Sequence, residues 1–161
     1  MPTSAPGGAD LAVAEEAAVY EVVIRDVFRR VVNSRPPVPG VLLVDHAVTG
    51  AGHDPLSFSA TEGGEPFAAA LRDELSSRLV DVPLLDLVSS VGEALGPDYH
   101  PTATGRARPG LVVVVSPIKR SGERATVGVE VAGQGGAGWE YVLNVTGGMA
   151  TISDAQVAWV S

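Results

Sequence analysis

The densest group of side chains able to do chemistry is Asp45-His46 together with His53-Asp54. Two imidazoles and two carboxylates this close in sequence could ligate a divalent cation. The interval from His46 to His53 is not that of two ligands on one helix turn, however, and no metal site is expected. Alternatively, Asp45 could orient His46 as a general base. Consecutive residues of a strand point to opposite faces, so that pairing needs a bend. The plainer reading is a polar strand exit with a hydrogen-bonded histidine. Asp98-Tyr99-His100 lies in a Pro/Gly-bounded stretch, where His100 could supply an acid at a pocket mouth or simply face water. Tyr20 falls on the apolar stripe of the first helix and reads first as core. If it is buried, its hydroxyl must find a partner. Asp45, His46, Tyr20 and His100 are therefore the catalytic candidates if the protein is an enzyme.

Gly133-Gln-Gly-Gly-Ala-Gly138 matches G-x-G-x-x-G letter for letter. A dinucleotide site needs a helix after such a loop, with its N-terminal amides facing a pyrophosphate. Trp139-Glu-Tyr-Val-Leu143 follows instead, and that is strand composition. The segment reads as a glycine-rich connection between strands. Its lack of side chains also lets a ligand or another backbone come close, which makes Gly135, Gly136 and Trp139 the candidate ligand contacts. Trp139 and Trp159 otherwise read as sheet-packing residues. No phosphate-binding P-loop, nucleophile elbow, HExxH zinc motif or calcium loop occurs, and no cofactor is expected.

The composition narrows the field further. The chain has 161 residues, a formal net charge of -8 and no cysteine. Disulfides and thiolate chemistry are excluded, and nucleic acid is a poor partner for so acidic a chain. The longest apolar run, Leu111–Val115, is far short of the roughly 20 residues that span a bilayer, so no membrane insertion is expected. The start has neither a basic nor an apolar segment, which places the protein in the cytoplasm as written, or outside it if a signal has been removed. Residues 1–9, small and uncharged, read as a flexible tail before a single domain over 10–161.

These groups must be held by a few elements. Asp10 can cap a helix whose stripe is Val13, Ala17, Tyr20, Ile24, Phe28 and Val31. Glu21–Arg25 and Asp26–Arg30 are i,i+4 pairs expected on its wet side. Val41–Val44 reads as a strand buried on both faces. Helices are predicted over Pro66–Arg78 and Pro83–Leu95. Strands are predicted over Leu111–Ser116, Arg124–Val131, Trp139–Val145 and Ala150–Val160, with turns at Ser121-Gly122 and Gly147-Gly148. In the second of these strands Val127, Val129 and Val131 form an apolar face, and Thr126, Gly128 and Glu130 a mostly wet one.

From Val19-Tyr-Glu-Val onward the chain resembles a widespread uncharacterised bacterial domain. The resemblance is carried by Val115-Ser116, Ala125-Thr-Val-Gly-Val129, Gly133–Gly138, Tyr141-Val-Leu and Trp159-Val-Ser161. The chain departs from that pattern at Gly147-Gly148-Met149, where the family has Gly-Trp. The resemblance implies no catalytic residues, and many such domains look exported. The order of elements is also compatible with a cystatin/NTF2-like cup. The expectation is an α+β domain with helices on one face of an antiparallel sheet of four or five strands, and an apolar pocket between sheet and first helix. Its leading function is a small binding domain for a small molecule or a protein. The alternative is a cofactor-free acid/base enzyme (a cyclase, isomerase or hydrolase) acting on an apolar small molecule. The sequence leaves the oligomeric state open.

Overall fold

The computed structural model describes residues 8–34, 41–48, 50–52, 65–80, 86–88, 111–132 and 136–160. It is an α+β fold, with helices packed on one face of an open, mixed and mostly antiparallel sheet. Helix α1 spans Gly8–Ser34. It begins before the Asp10 cap and takes in Gly8 and Ala9, which composition assigns to the tail. First-turn amides have no intrahelical partner in any case, so small residues extend a helix by a turn at little cost. Ala17, Tyr20, Val23, Ile24 and Val27 form its buried stripe. Helix α2 spans Ala69–Arg78 and buries Leu71 and Leu75.

The strands are β1 (Val41–Ala47), β2 (Glu65–Pro66), β3 (Asp86–Val88), β4 (Leu111–Val115), β5 (Lys119–Ser121), β6 (Arg124–Ala132), β7 (Gly136–Thr146) and β8 (Met149–Val160). Along the sheet the order is β2-β1-β4-β6-β7-β8, with β3 on β1 and β5 on β6. The sheet is therefore wider than the expected four or five strands, and it is mixed because β1 runs parallel to both β3 and β4. Leu43 and Val44 of β1, and Val112 to Val115 of β4, are all buried. Consecutive buried residues are what a strand covered on both faces requires.

Two helix expectations are corrected. Glu65–Pro66 pairs with Ala47 and His46 as a short strand, so α2 starts later than Pro66. Proline has no N–H to give a ladder, and such a strand end tolerates that. Asp86–Val88 lies inside the helix predicted over 83–95 but is a strand in register with Leu42–Val44. A short apolar run satisfies either period, and here the unfilled side of β1 decides in favour of the strand. The rest of that segment lies outside the described residues. The meander β4-β6-β7-β8 follows the expected order, and β7 continues through Trp139 where a nucleotide fold would need a helix. Gly147 (φ 60°) and Gly148 (φ 82°) are both left-handed, as a two-residue turn between twisted strands demands.

On the helix side Ala125, Val127, Val129 and Val131 of β6 alternate into the core with Trp139, Tyr141, Leu143 and Val145 of β7. The space between α1 and the sheet, where a pocket was expected, is filled by Tyr20, Ile24, Val27, Tyr141 and Leu143. Among the described residues no helix is long and apolar enough to cross a membrane.

Candidate functional site

The helix-covered face is chemically closed. The Tyr20 ring stacks on Phe67 with centroids 5.5 Å apart, and its hydroxyl donates to the Ser116 carbonyl at 2.9 Å. Burial, reinforced by the Glu16 carboxylate, raises its pKa and keeps it neutral. Tyr141 donates to Asp26 Oδ2 at 2.8 Å, and the same carboxylate accepts from Arg30 at 2.6 Å and from Arg29. Asp26 is only 7% exposed, so it is not on the wet side as the i,i+4 spacing suggested. Burial is the largest single influence on Asp26 and pushes its pKa up. The hydrogen bonds from Arg30, Tyr141 and Arg29 outweigh it and hold the carboxyl below the ordinary range. Nearby, Glu21 accepts from Arg25 and Arg78, which ties α1 to α2. Glu15 accepts from Arg120 at 3.0 Å and from the Gly148 amide, which ties α1 to both hairpins.

The opposite face carries no helix among the described residues, and its two ends differ. At one end the turn 50–52 folds onto the sheet. Gly52 N–H donates to Glu130 Oε1 at 2.9 Å, and Glu130 is fully buried. A Cβ on Gly128 would stand 1.8 Å from the Ala51 carbonyl oxygen, so the turn can lie this low only over glycine. Gly138 plays the same part beneath the Gly52 oxygen and the Trp159 ring. The Gly128–Glu130 side of β6, expected to be wet, is therefore covered. Trp159 Nε1 is buried here with no hydrogen-bond acceptor among the described residues.

At the other end the face stays open among the described residues. Arg124, Val142, Leu143, Asn144, Ser153 and Asp154 line a shallow depression of ≈ 350 Å³. The ladder pairs Arg124 with Asn144 and Val142 with Asp154, which sets these side chains in adjacent rows. Between Val142 and Leu143 the pairing jumps from Asp154 to Ile152, so Ser153 is the extra residue of a β-bulge. A bulge re-aims side chains, and it turns Ser153 and Asp154 towards the depression. Arg25, Arg29, Arg30, Arg72, Arg78 and Arg120 are each engaged, whereas the Arg124 guanidinium has no partner among the described residues. Beyond it β8 is the sheet edge, paired among the described residues with β7 alone, and Met149, Val157 and Val160 are exposed on it.

The candidates named from sequence do not gather here. Tyr20 is in the helix-side core. His46 lies within β1, half-buried and opposite Pro66. The backbone of Asp45 is in β1, but its side chain lies outside the described part, as do His100, Gly135 and the His53-Asp54 pair. Gly136 opens β7 opposite Ala132, and Trp139 is 8% exposed in the helix-side core. The depression was missed because its members are scattered ordinary residues. Strand alternation puts Arg124, Val142 and Asn144 on one face, but the bulge that brings in Ser153 leaves no mark in the sequence. Comparison of the chain with protein-family models, with curated proteins and with solved structures returns no match.

Proposed function

We propose that the protein is a noncatalytic binding domain that engages its ligand through the helix-free face of β6, β7 and β8. The single observation behind this reading is the open depression whose guanidinium, like the adjoining sheet edge, has no partner among the described residues. A surface that keeps a cation, a carboxylate, an amide and a hydroxyl around an apolar floor suits recognition. Thr151, exposed and paired with Asn144, continues the same row of this face onto the edge strand. The contact region thereby moves from the glycine-rich connection to the far end of the same strands. Against the acid/base reading stands the engagement of Tyr20, whose hydroxyl is buried and donates to a backbone carbonyl.

Mass spectrometry under non-denaturing conditions tests the proposal. The expected result is a retained species that is lost in Val142→Glu while the fold persists. A species retained equally by that variant places binding elsewhere, and release of a chemically altered species supports the enzyme.

A further inference from the structure

We infer that the depression between Arg124 and Asp154 binds a small zwitterion of the amino-acid class, its carboxylate on the guanidinium and its ammonium on the aspartate. This rests on the binding reading above and gives it a ligand class. Arg124 and Asp154 lie on β6 and β8, on either side of β7, and in adjacent rows. Neighbouring strands are about 4.8 Å apart and adjacent rows about 7 Å apart, so the two backbone positions stand about 12 Å apart across the depression. The residues carry opposite charges over one floor and form no ion pair with each other. The Arg124 and Asp154 side chains take up most of that distance, and a molecule with both charges a few ångströms apart bridges the rest.

The floor suits the same ligand. Val142 is half-buried and offers apolar contact, while Asn144 and Ser153 offer hydrogen bonds to carboxylate oxygens. Gln156 donates to Asp154 Oδ2 at 3.1 Å, which orients the carboxylate and leaves Oδ1 for an ammonium. Planar guanidinium–carboxylate pairing supplies direction as well as charge. The chain as a whole is at -8, and that field opposes a bare anion. A zwitterion is not repelled, because its net charge is zero. A bare cation would leave Arg124 unused.

Amide NMR titration of the full chain with valine, isovalerate and isobutylamine separates these cases. With valine we expect saturable shifts at residues 124–126, 142–144 and 151–155, at least about tenfold stronger than with either half-ligand. Arg124→Gln and Asp154→Asn should each weaken valine by about tenfold, since each removes one charge-assisted contact. Isovalerate binding as tightly as valine would make this a plain anion site and overturn the inference. Isobutylamine binding equally well would overturn it in favour of a cation site. No saturable shift with any of the three also overturns it. If in that case a natively retained species is still lost in Val142→Glu, the zwitterion falls and the binding reading stands.

Discussion

The two faces of the sheet solve the same problem in opposite ways. On the helix side, polar groups are internalised. Tyr141, Arg29 and Arg30 converge on Asp26, and Tyr20 reaches a backbone carbonyl. On the other side, among the described residues, only the turn 50–52 covers β6–β8; it rests on glycine and is fastened by Glu130. Past that turn the face keeps its charges for something else. A protein core tolerates a carboxylate only when donors replace water around it. The contrast shows that burial of a charge and availability of a charge are set by which layer lies above it, and on the second face glycine at 128 and 138 decides where a layer can lie.

The comparison can be broken most severely from the covered side. Leu75→Ala, at a fully buried α2 position, should cost about 3 kcal/mol in denaturant unfolding, as large-to-small core changes do. Gly128→Ala should cost about 2 kcal/mol by overpacking, because the new methyl must displace the Ala51 carbonyl. It should also raise hydrogen exchange at the Gly52 amide, and unchanged exchange there would show that the turn is not held as described.

Tyr141→Phe should cost about 1.5 kcal/mol, the worth of a hydrogen bond to a charged acceptor. The pH dependence follows from Asp26. Its folded pKa lies below the unfolded value, so its contribution is complete above about pH 4 and is lost as pH falls through the lower folded value. Asp26→Asn should flatten stability against pH in that acidic window, and Tyr141→Phe should partly flatten it. A slope unchanged in Asp26→Asn would remove Asp26 from the account. The smallest effects belong to the open side. Thr151→Lys and Arg124→Gln should each stay within about 0.5 kcal/mol of the parent, as exposed substitutions do. A larger loss in either would mean that this surface is structural.

Much of the scaffold is legible in the chain. The α1 stripe, the doubly buried β1 and the order of β4, β6, β7 and β8 follow from apolar spacing, because burial acts on periodicity directly. Asp86–Val88 and Glu65–Pro66 are less legible, since runs of two or three residues carry no period. The site is harder still. Glu130 sits in an alternating strand where a wet position is the natural reading, and only the fold of the 50–52 turn, far off in sequence, buries it. Arg124 and Asp154 meet across a third strand through a register containing a bulge. Single residues do not encode register; the ladder and its turns do.

The central claim is that one face of the β6–β8 region is sealed and that the Arg124–Asp154 end of the other is exposed. Methyl relaxation by a soluble paramagnetic agent tests it most directly. The account predicts strong broadening at Val142 and Thr151, and little at Val127, Leu143 and Val145. Equal protection of both sets would mean that a further layer covers the helix-free face, and would contradict the account.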